Sequence, residues 1–252
     1  MSALAIIGGS GFTALPGLTV EERRPVETRY GLTSAPLVSG RLGVLPVWFL
    51  ARHGPDHQLA PHRVNYRANI QALADVGCSS IVALAAVGGI HPACAPGSLC
   101  VPDQLVDYTS GRAHSFFDGE ADGVVHVDFT EPYSEPLRLE LLSAAEAVGV
   151  GLRNGGTYGV SQGPRLETAA EIRRKARDGC DMVGMTAMPE AALARERGIG
   201  YATLAFVVNW CAGLTEEAIT IDSINAEIER CADKVQAVLK ALARQRAASL
   251  NG

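Results

Sequence analysis

Two short segments of the chain combine glycine with side chains that bind anions. Residues 8–11 read GGSG and follow an apolar run, and glycine there lets backbone N–H groups and the Ser10 hydroxyl approach an anion. Residues 50–54 read LARHG, which places Arg52 and His53 at the end of another apolar run. An arginine can hold phosphate through two parallel N–H bonds, and His53 can add a further donor. The two segments together predict a phosphate site.

Each segment also has a simpler interpretation. The glycine-rich turn can be purely structural, or it can belong to a dinucleotide-binding loop, which needs the pattern GxGxxG at the start of a helix. Residues 13–16 read TALP, which departs from that pattern. An Arg-His pair at the end of a strand can be a surface or structural feature. Residues 61–67 read PHRVNYR and supply further donors, which favours a ligand site.

The elements that position these residues are visible as apolar patterns. Five runs without the alternation of half-exposed strands predict strands buried on both faces, at residues 4–7, 46–50, 81–86, 98–101 and 201–208. Helical patterns that end at glycine lie between them, at residues 64–76, 136–148 and 168–177. Residues 224–247 carry one apolar stripe, which predicts a final amphipathic helix.

Two further signals mark helix starts. Thr168 and Glu171 form a capping-box pattern, and Pro189 suits the first turn of another helix. The elements together predict a single α/β domain over residues 1–252, with helices around a central, mixed but mostly parallel sheet.

Composition narrows the class of ligand. The chain has 252 residues, is 47% hydrophobic and carries a formal charge of -5 without a Lys/Arg-rich run, which argues against nucleic acid and membrane surfaces as partners. The six cysteines form no C-x-x-C pair, so neither zinc nor redox chemistry is indicated. Scattered free cysteines and an N-terminus without a basic export signal predict a cytoplasmic protein.

Several longer motifs carry a resemblance to a known family. They read ARHG at 51–54, VNYRANI at 64–70, SFFDG at 115–119, GPR at 163–165 and GMTAMPE at 184–190. The chain resembles the trimeric purine nucleoside phosphorylase and methylthioadenosine phosphorylase family, from residue 6 into the 220s. The resemblance implies a nucleoside phosphorylase fold with a partly barrel-like sheet, a homotrimer, and inorganic phosphate as co-substrate without a metal or organic cofactor.

The same resemblance assigns the phosphate and ribose contacts. It implies that phosphate is bound by Ser10, Arg52, His53 and Thr186. Met185 matches a residue that packs under the ribose, although an ordinary core methionine is the alternative. Leu166 and Ala86 are expected to contact the nucleoside. Ala85 departs from the pattern, because the methylthioadenosine branch has a hydroxyl there, so a backbone contact is expected at most.

The positions that contact the base look like those of the 6-oxopurine branch. Glu167 can accept a hydrogen bond from N1–H of hypoxanthine or guanine, whereas adenine N1 is a bare lone pair. Asn209 can stabilise the departing purine at N7 and present its amide to O6, or flip for adenine, so only the pair with Glu167 favours a 6-oxopurine. These two residues are the predicted catalytic groups. The alternative for Glu167 is helix capping near Thr168.

The sugar side resembles the methylthioadenosine branch. Ile221 stands where ordinary purine nucleoside phosphorylases have a histidine for the 5'-hydroxyl, and His126 is expected to reach in from a neighbouring subunit. An apolar partner suits a 5'-methylthio group. The sequence therefore predicts phosphorolysis of 5'-methylthioinosine. Methylthioadenosine phosphorylase, inosine/guanosine phosphorylase, a hydrolytic nucleosidase and a non-catalytic nucleoside sensor are the alternatives.

Overall fold

Eleven strands form one sheet in the computed structural model, which describes residues 3–119 and 123–250. The strands of this sheet are β1 (Ala3–Gly8), β2 (Leu18–Arg24), β5 (Leu37–Leu42), β6 (Leu45–Ala51), β7 (Cys78–Gly89), β8 (Leu99–Val101), β9 (Gln104–Asp107), β10 (Leu152–Asn154), β11 (Thr157–Val160), β12 (Met182–Gly184) and β13 (Gly200–Trp210). A separate hairpin pairs β3 (Glu27–Thr28) with β4 (Gly31–Leu32).

The centre of the sheet is built from the apolar runs. β1 pairs in parallel with β6 on one side and with β7 on the other, and β13 pairs in parallel with the far edge of β7. β1, β7 and β13 are buried over nearly their whole length, as the missing alternation predicts, whereas β6 exposes Pro46. Antiparallel pairs join β5 to β6, β5 to β2 and β8 to β13. The sheet is therefore mixed, but most of its strand pairs are parallel, as predicted.

The sheet forks instead of closing. Residues 78–83 of β7 pair with β1, and beyond them Gly88 and Gly89 pair antiparallel with β12. β11 and then β9 continue from β12 as a branch. Within the described residues the strands form no closed barrel. β1 and β12 pair with successive parts of one edge of β7, and the sheet forks where the pairing changes from β1 to β12.

Five α-helices surround the sheet within residues 3–119 and 123–250. They are α1 (Tyr66–Asp75), α2 (Glu135–Glu146), α3 (Ala169–Arg177), α4 (Ala187–Glu196) and α5 (Ile221–Leu250). The capping box of Thr168 and Glu171 is present at α3. Backbone angles at Met188 (φ -114°, ψ 135°) are not helical, so Pro189 stands at the start of the regular part of α4, as predicted.

The final helix packs on the body through its apolar stripe. Cys231, Val235, Val238 and Leu242 of α5 are fully buried and belong to the main core, which begins with Leu4 in β1. All six cysteines are buried and free. None of the helices in the described ranges is long and apolar enough to cross a membrane.

Candidate active site

A pocket of about 470 Å³ opens where the sheet forks. It lies at the carboxyl ends of β1, β6, β7 and β13, the position at which α/β sheets bind ligands. All predicted site residues except His126 line it: Ser10, Arg52, His53, Ala86, Leu166, Glu167, Met185, Thr186, Asn209 and Ile221. Tertiary structure thus brings together residues from seven separate parts of the chain.

The glycine-rich turn lets two strand ends approach each other closely. A Cβ on Gly9 would lie 2.5 Å from the carbonyl oxygen of Leu84 and 3.0 Å from Arg52 Nη1, so only glycine fits. Gly11 has φ +80°, in the left-handed region that favours glycine. Residues 9–17 form turns and bends, and the next element is β2. The turn therefore leads into a strand and not into the helix that a dinucleotide-binding loop requires.

Arg52 enters the pocket from a fully buried position. Its Nε donates to Glu190 Oε1 at 2.5 Å, and its Nη2 donates to Glu190 Oε2 at 2.9 Å. Nη1 donates to the carbonyl oxygen of Leu84 at 3.0 Å. Arg52 and Glu190 are 1% and 0% exposed, so the guanidinium is held by a buried ion pair. In the sequence Glu190 stood out only as part of a motif, and nothing there indicated this contact.

His53 presents an acceptor to the pocket. Burial, reinforced by the positive charge of Arg52, lowers the pKa of His53 to about 4. The neutral ring donates from Nδ1 to the carbonyl oxygen of Leu59, 2.8 Å away. Nε2 is then unprotonated, so His53 can accept a hydrogen bond from a protonated phosphate oxygen. This arrangement favours an acceptor role for His53, and its role towards phosphate, as donor or as acceptor, stays a prediction.

The depressed pKa of His53 makes stability depend on pH. An unfolded histidine takes up a proton below pH ~6.5, whereas folded His53 does so only near pH 4, so its contribution is full above pH 6.5 and declines as pH falls towards 4. In His53→Asn the amide can still donate to Leu59, but the side chain takes up no proton. Between pH 7.5 and pH 5.0 we expect the unfolding free energy of this variant to fall by about 2 kcal/mol less than that of wild type. Urea unfolding at both pH values measures this, with exposed His62→Asn as the control. Equal losses in all three proteins would contradict it.

A second histidine lies beside the first. His57 Nε2 is 3.0 Å from the Ser10 hydroxyl, and its ring centroid is 4.7 Å from that of His53. His57 lines the pocket but was not among the predicted site residues. Its place four residues after His53, in the same loop, was the available signal. Ser10, His53 and His57 thus lie side by side in the lining of the pocket.

Glu167 offers an unused acceptor. Its Oε1 is buried and has no hydrogen-bond partner among the described residues. The neighbouring helix start is capped by others: the Thr168 hydroxyl accepts from Glu171 N at 3.1 Å, and Glu171 Oε2 accepts from Thr168 N at 2.7 Å. The capping alternative for Glu167 is therefore wrong. Its carboxylate is available for a donor on a ligand.

Asn209 lies at an irregularity near the end of β13. The pairing of β13 with β7 shifts register between Val207 and Asn209. One amide N–H of Asn209 donates to the carbonyl oxygen of Trp210 at 2.7 Å. Among the described residues its second N–H and its Oδ1 have no partner, and they form the donor–acceptor pair that a purine O6 and a protonated N7 require.

The opposite wall of the pocket is apolar. Ile219, Ile221 and Ile224 line it at the start of α5, and Ile221 is 69% exposed. Met185 packs against the loop that contains Gly163, where a Cβ would lie 2.5 Å from its sulfur. His126 is exposed in an irregular segment and lies outside the pocket of its own chain.

Arg112 joins the two loops that hold the predicted base and ribose residues, and it was not among the predicted site residues. It is buried and donates to the carbonyl oxygens of Met185 at 2.9 Å, Met188 at 2.6 Å and Gln162 at 2.8 Å. An isolated arginine in a segment without a recognisable pattern gave no sequence signal. Its side chain fixes the spacing between the segments that hold Glu167 and Met185.

Comparisons with known proteins cover nearly the whole chain. The family model of the phosphorylase superfamily matches residues 3–244. A probable S-methyl-5'-thioinosine phosphorylase from Pseudomonas syringae pv. tomato is 52% identical over 239 residues, which cover 95% of this chain and 97% of that protein. A 6-oxopurine nucleoside phosphorylase from Pyrococcus furiosus is 44% identical over 225 residues, covering 87% and 84%. The structure of methylthioadenosine phosphorylase from Schistosoma mansoni in complex with adenine matches with a TM-score of 0.94 and 32% identity, covering 98% of this chain and 93% of that chain.

Proposed function

This chain belongs to the phosphorylase superfamily, and from that premise we propose that it cleaves 5'-methylthioinosine with inorganic phosphate, releasing hypoxanthine and 5-methylthioribose 1-phosphate. The observation that carries the proposal is the buried, unpartnered Oε1 of Glu167, a statement limited to the described residues. A carboxylate oxygen without a donor matches N1–H of a 6-oxopurine and disfavours adenine. The names of the Pseudomonas and Pyrococcus relatives support this choice.

One side of the pocket suits the attacking phosphate, and the other suits the departing purine. Phosphate held by Ser10, Arg52 and Thr186, with His53 accepting from its P–OH, lies beneath the ribose and stabilises the positive charge that develops at C1'. A phosphate oxygen forms the new bond to C1' as the bond to the purine N9 breaks. The electron pair leaves with the purine, which takes a proton from solvent at N7 next to Asn209. Orientation and electrostatics supply the catalysis, without a protein nucleophile, metal or organic cofactor.

The active enzyme in this proposal is a homotrimer. His126 is exposed and outside its own pocket, so it is free to complete the 5'-end of the site in a neighbouring copy. Light scattering should give the mass of three chains, and the mass of one chain would contradict this part of the proposal.

Initial rates with three nucleosides test the function directly. Methylthioinosine, methylthioadenosine and inosine are each assayed with and without phosphate. We expect phosphate-dependent cleavage, fastest for methylthioinosine. Cleavage independent of phosphate would identify a nucleosidase, and preference for methylthioadenosine would contradict the role of Glu167.

The apolar wall of the pocket should decide whether a methylthio group or a hydroxyl is preferred at the 5' position. Replacing Ile221 with asparagine exchanges an apolar contact for a polar one of similar size. We expect the ratio of kcat/KM for methylthioinosine to kcat/KM for inosine to fall by about tenfold, because one apolar contact commonly changes specificity by about this factor. Leu214→Asn is the control, because Leu214 is exposed nearby but does not line the pocket. An unchanged ratio in Ile221→Asn would show that the 5' group binds elsewhere.

A further inference from the structure

Arg52 keeps two N–H groups for a ligand. A guanidinium has five N–H donors, and three of these are used on Glu190 and Leu84. One N–H is left on each terminal nitrogen, so a single phosphate can accept both. The three bonds to the protein fix the plane of the guanidinium. The direction of the two free N–H groups therefore depends on the position of Glu190.

Glu190 is itself held by a tyrosine. The Tyr201 hydroxyl donates to Glu190 Oε2 at 2.9 Å, and both side chains are buried. The ring of Tyr201 stacks on that of Tyr133, with centroids 6.0 Å apart. The Tyr133 hydroxyl is buried and has no partner among the described residues. Of the two stacked tyrosines, only Tyr201 is hydrogen-bonded to the carboxylate that orients Arg52.

We propose that Glu190 and Tyr201 are positioning residues for the phosphate co-substrate. Together they hold the guanidinium of Arg52 so that its two free N–H groups point at the attacking phosphate, although neither residue is a predicted phosphate ligand. The inference rests on the proposed function in one respect: phosphate is the ligand of Arg52. Its observable consequence is a selective effect on phosphate binding.

Electrostatics alone leads to the opposite expectation. The negative charge of Glu190 lies next to the phosphate site, so removing that charge without moving Arg52 would strengthen the attraction for phosphate. Loss of positioning weakens phosphate binding instead. The direction of the change in KM for phosphate therefore separates the two effects.

Three conservative variants test the inference. In Glu190→Gln, the amide NH₂ faces a guanidinium N–H and cannot accept from it, so we expect KM for phosphate to rise by about tenfold. In Tyr201→Phe, the loss of one hydrogen bond should raise it by about threefold. KM for methylthioinosine should stay within about twofold in both. Tyr133→Phe removes the neighbouring buried hydroxyl, which contacts neither Arg52 nor Glu190 by a hydrogen bond, and should leave KM for phosphate unchanged.

The results can overturn the inference in three ways. KM for phosphate could fall or stay unchanged in Tyr201→Phe, it could rise equally in Tyr133→Phe, or KM for nucleoside and phosphate could rise together. If Glu190→Gln does not fold, Tyr201→Phe decides, because it keeps the stacked ring. The shift in Tm that phosphate causes in each protein gives a second readout, expected to shrink in the same order. Failure of the proposed function is seen separately, as wild-type cleavage that does not depend on phosphate.

Discussion

Replacing Arg52 with methionine should lower kcat/KM for phosphate by about a thousandfold. Arg52 is the only predicted phosphate ligand with a permanent charge, and losing preorganised donors at an anionic centre commonly costs factors of this size. The substitution should also destabilise the fold by about 3–5 kcal/mol, because Glu190 is 0% exposed and loses its counter-charge. Steady-state kinetics with varied phosphate and urea unfolding at pH 7.5 measure the two effects.

A double variant separates the structural effect from the catalytic one. In Arg52→Met/Glu190→Gln the buried charge is gone, while the amide oxygen can still accept from Tyr201. We expect this variant to recover most of the lost unfolding free energy but none of the phosphate-dependent rate. If the double variant is as unstable as Arg52→Met, the buried ion pair is not the cause. If it recovers activity, Arg52 does not bind phosphate.

Replacing Glu167 with alanine should remove the preference for a 6-oxopurine. A hydrogen bond to a charged acceptor contributes about 1.5–3 kcal/mol, so we expect kcat/KM for methylthioinosine to fall by about a hundredfold. Methylthioadenosine has no N1–H to lose a partner, and its kcat/KM should not fall. The measurement is the ratio of the two kcat/KM values.

Two features make this experiment specific. The start of α3 is capped by Thr168 and Glu171, so the loss of Glu167 leaves the helix cap in place and Tm should change little. Glu146→Ala removes an exposed carboxylate outside the pocket and serves as the control. If Glu167→Ala lowers kcat/KM equally for both nucleosides, Glu167 does not distinguish a 6-oxopurine from adenine.

The sequence was sufficient to predict the fold class and the central elements. Strong local signals produced these predictions: uninterrupted apolar runs for β1, β7 and β13, glycine stops for the helices, and one stripe for α5. The match to the Schistosoma structure confirms the nucleoside phosphorylase fold. Strands β2 and β9 went unpredicted, because β2 is mostly exposed and β9 has polar residues at both ends, so neither forms an apolar run.

The predicted site residues other than His126 meet in one pocket, while their chemical roles stay predictions. Motifs with glycine, arginine and histidine at strand ends were enough to select Ser10, Arg52 and His53. Two details escaped them because they depend on neighbours. The Nδ1 of His53 is paired with the carbonyl oxygen of Leu59, which leaves Nε2 facing the pocket, and Glu171 in place of Glu167 completes the helix cap.

The features that could be predicted from the sequence are therefore local: which runs are strands, where helices begin and end, and which side chains stand at strand ends. Tertiary structure alone decided which of these meet. Glu190 is 138 positions from Arg52 in the chain, yet it receives two hydrogen bonds from that guanidinium. The sheet forks at β7 because β1 and β12 share one edge of that strand. The spacing of apolar residues indicates which face of a single helix or strand is buried. Hydrogen bonds between distant elements depend instead on the packing of the whole chain.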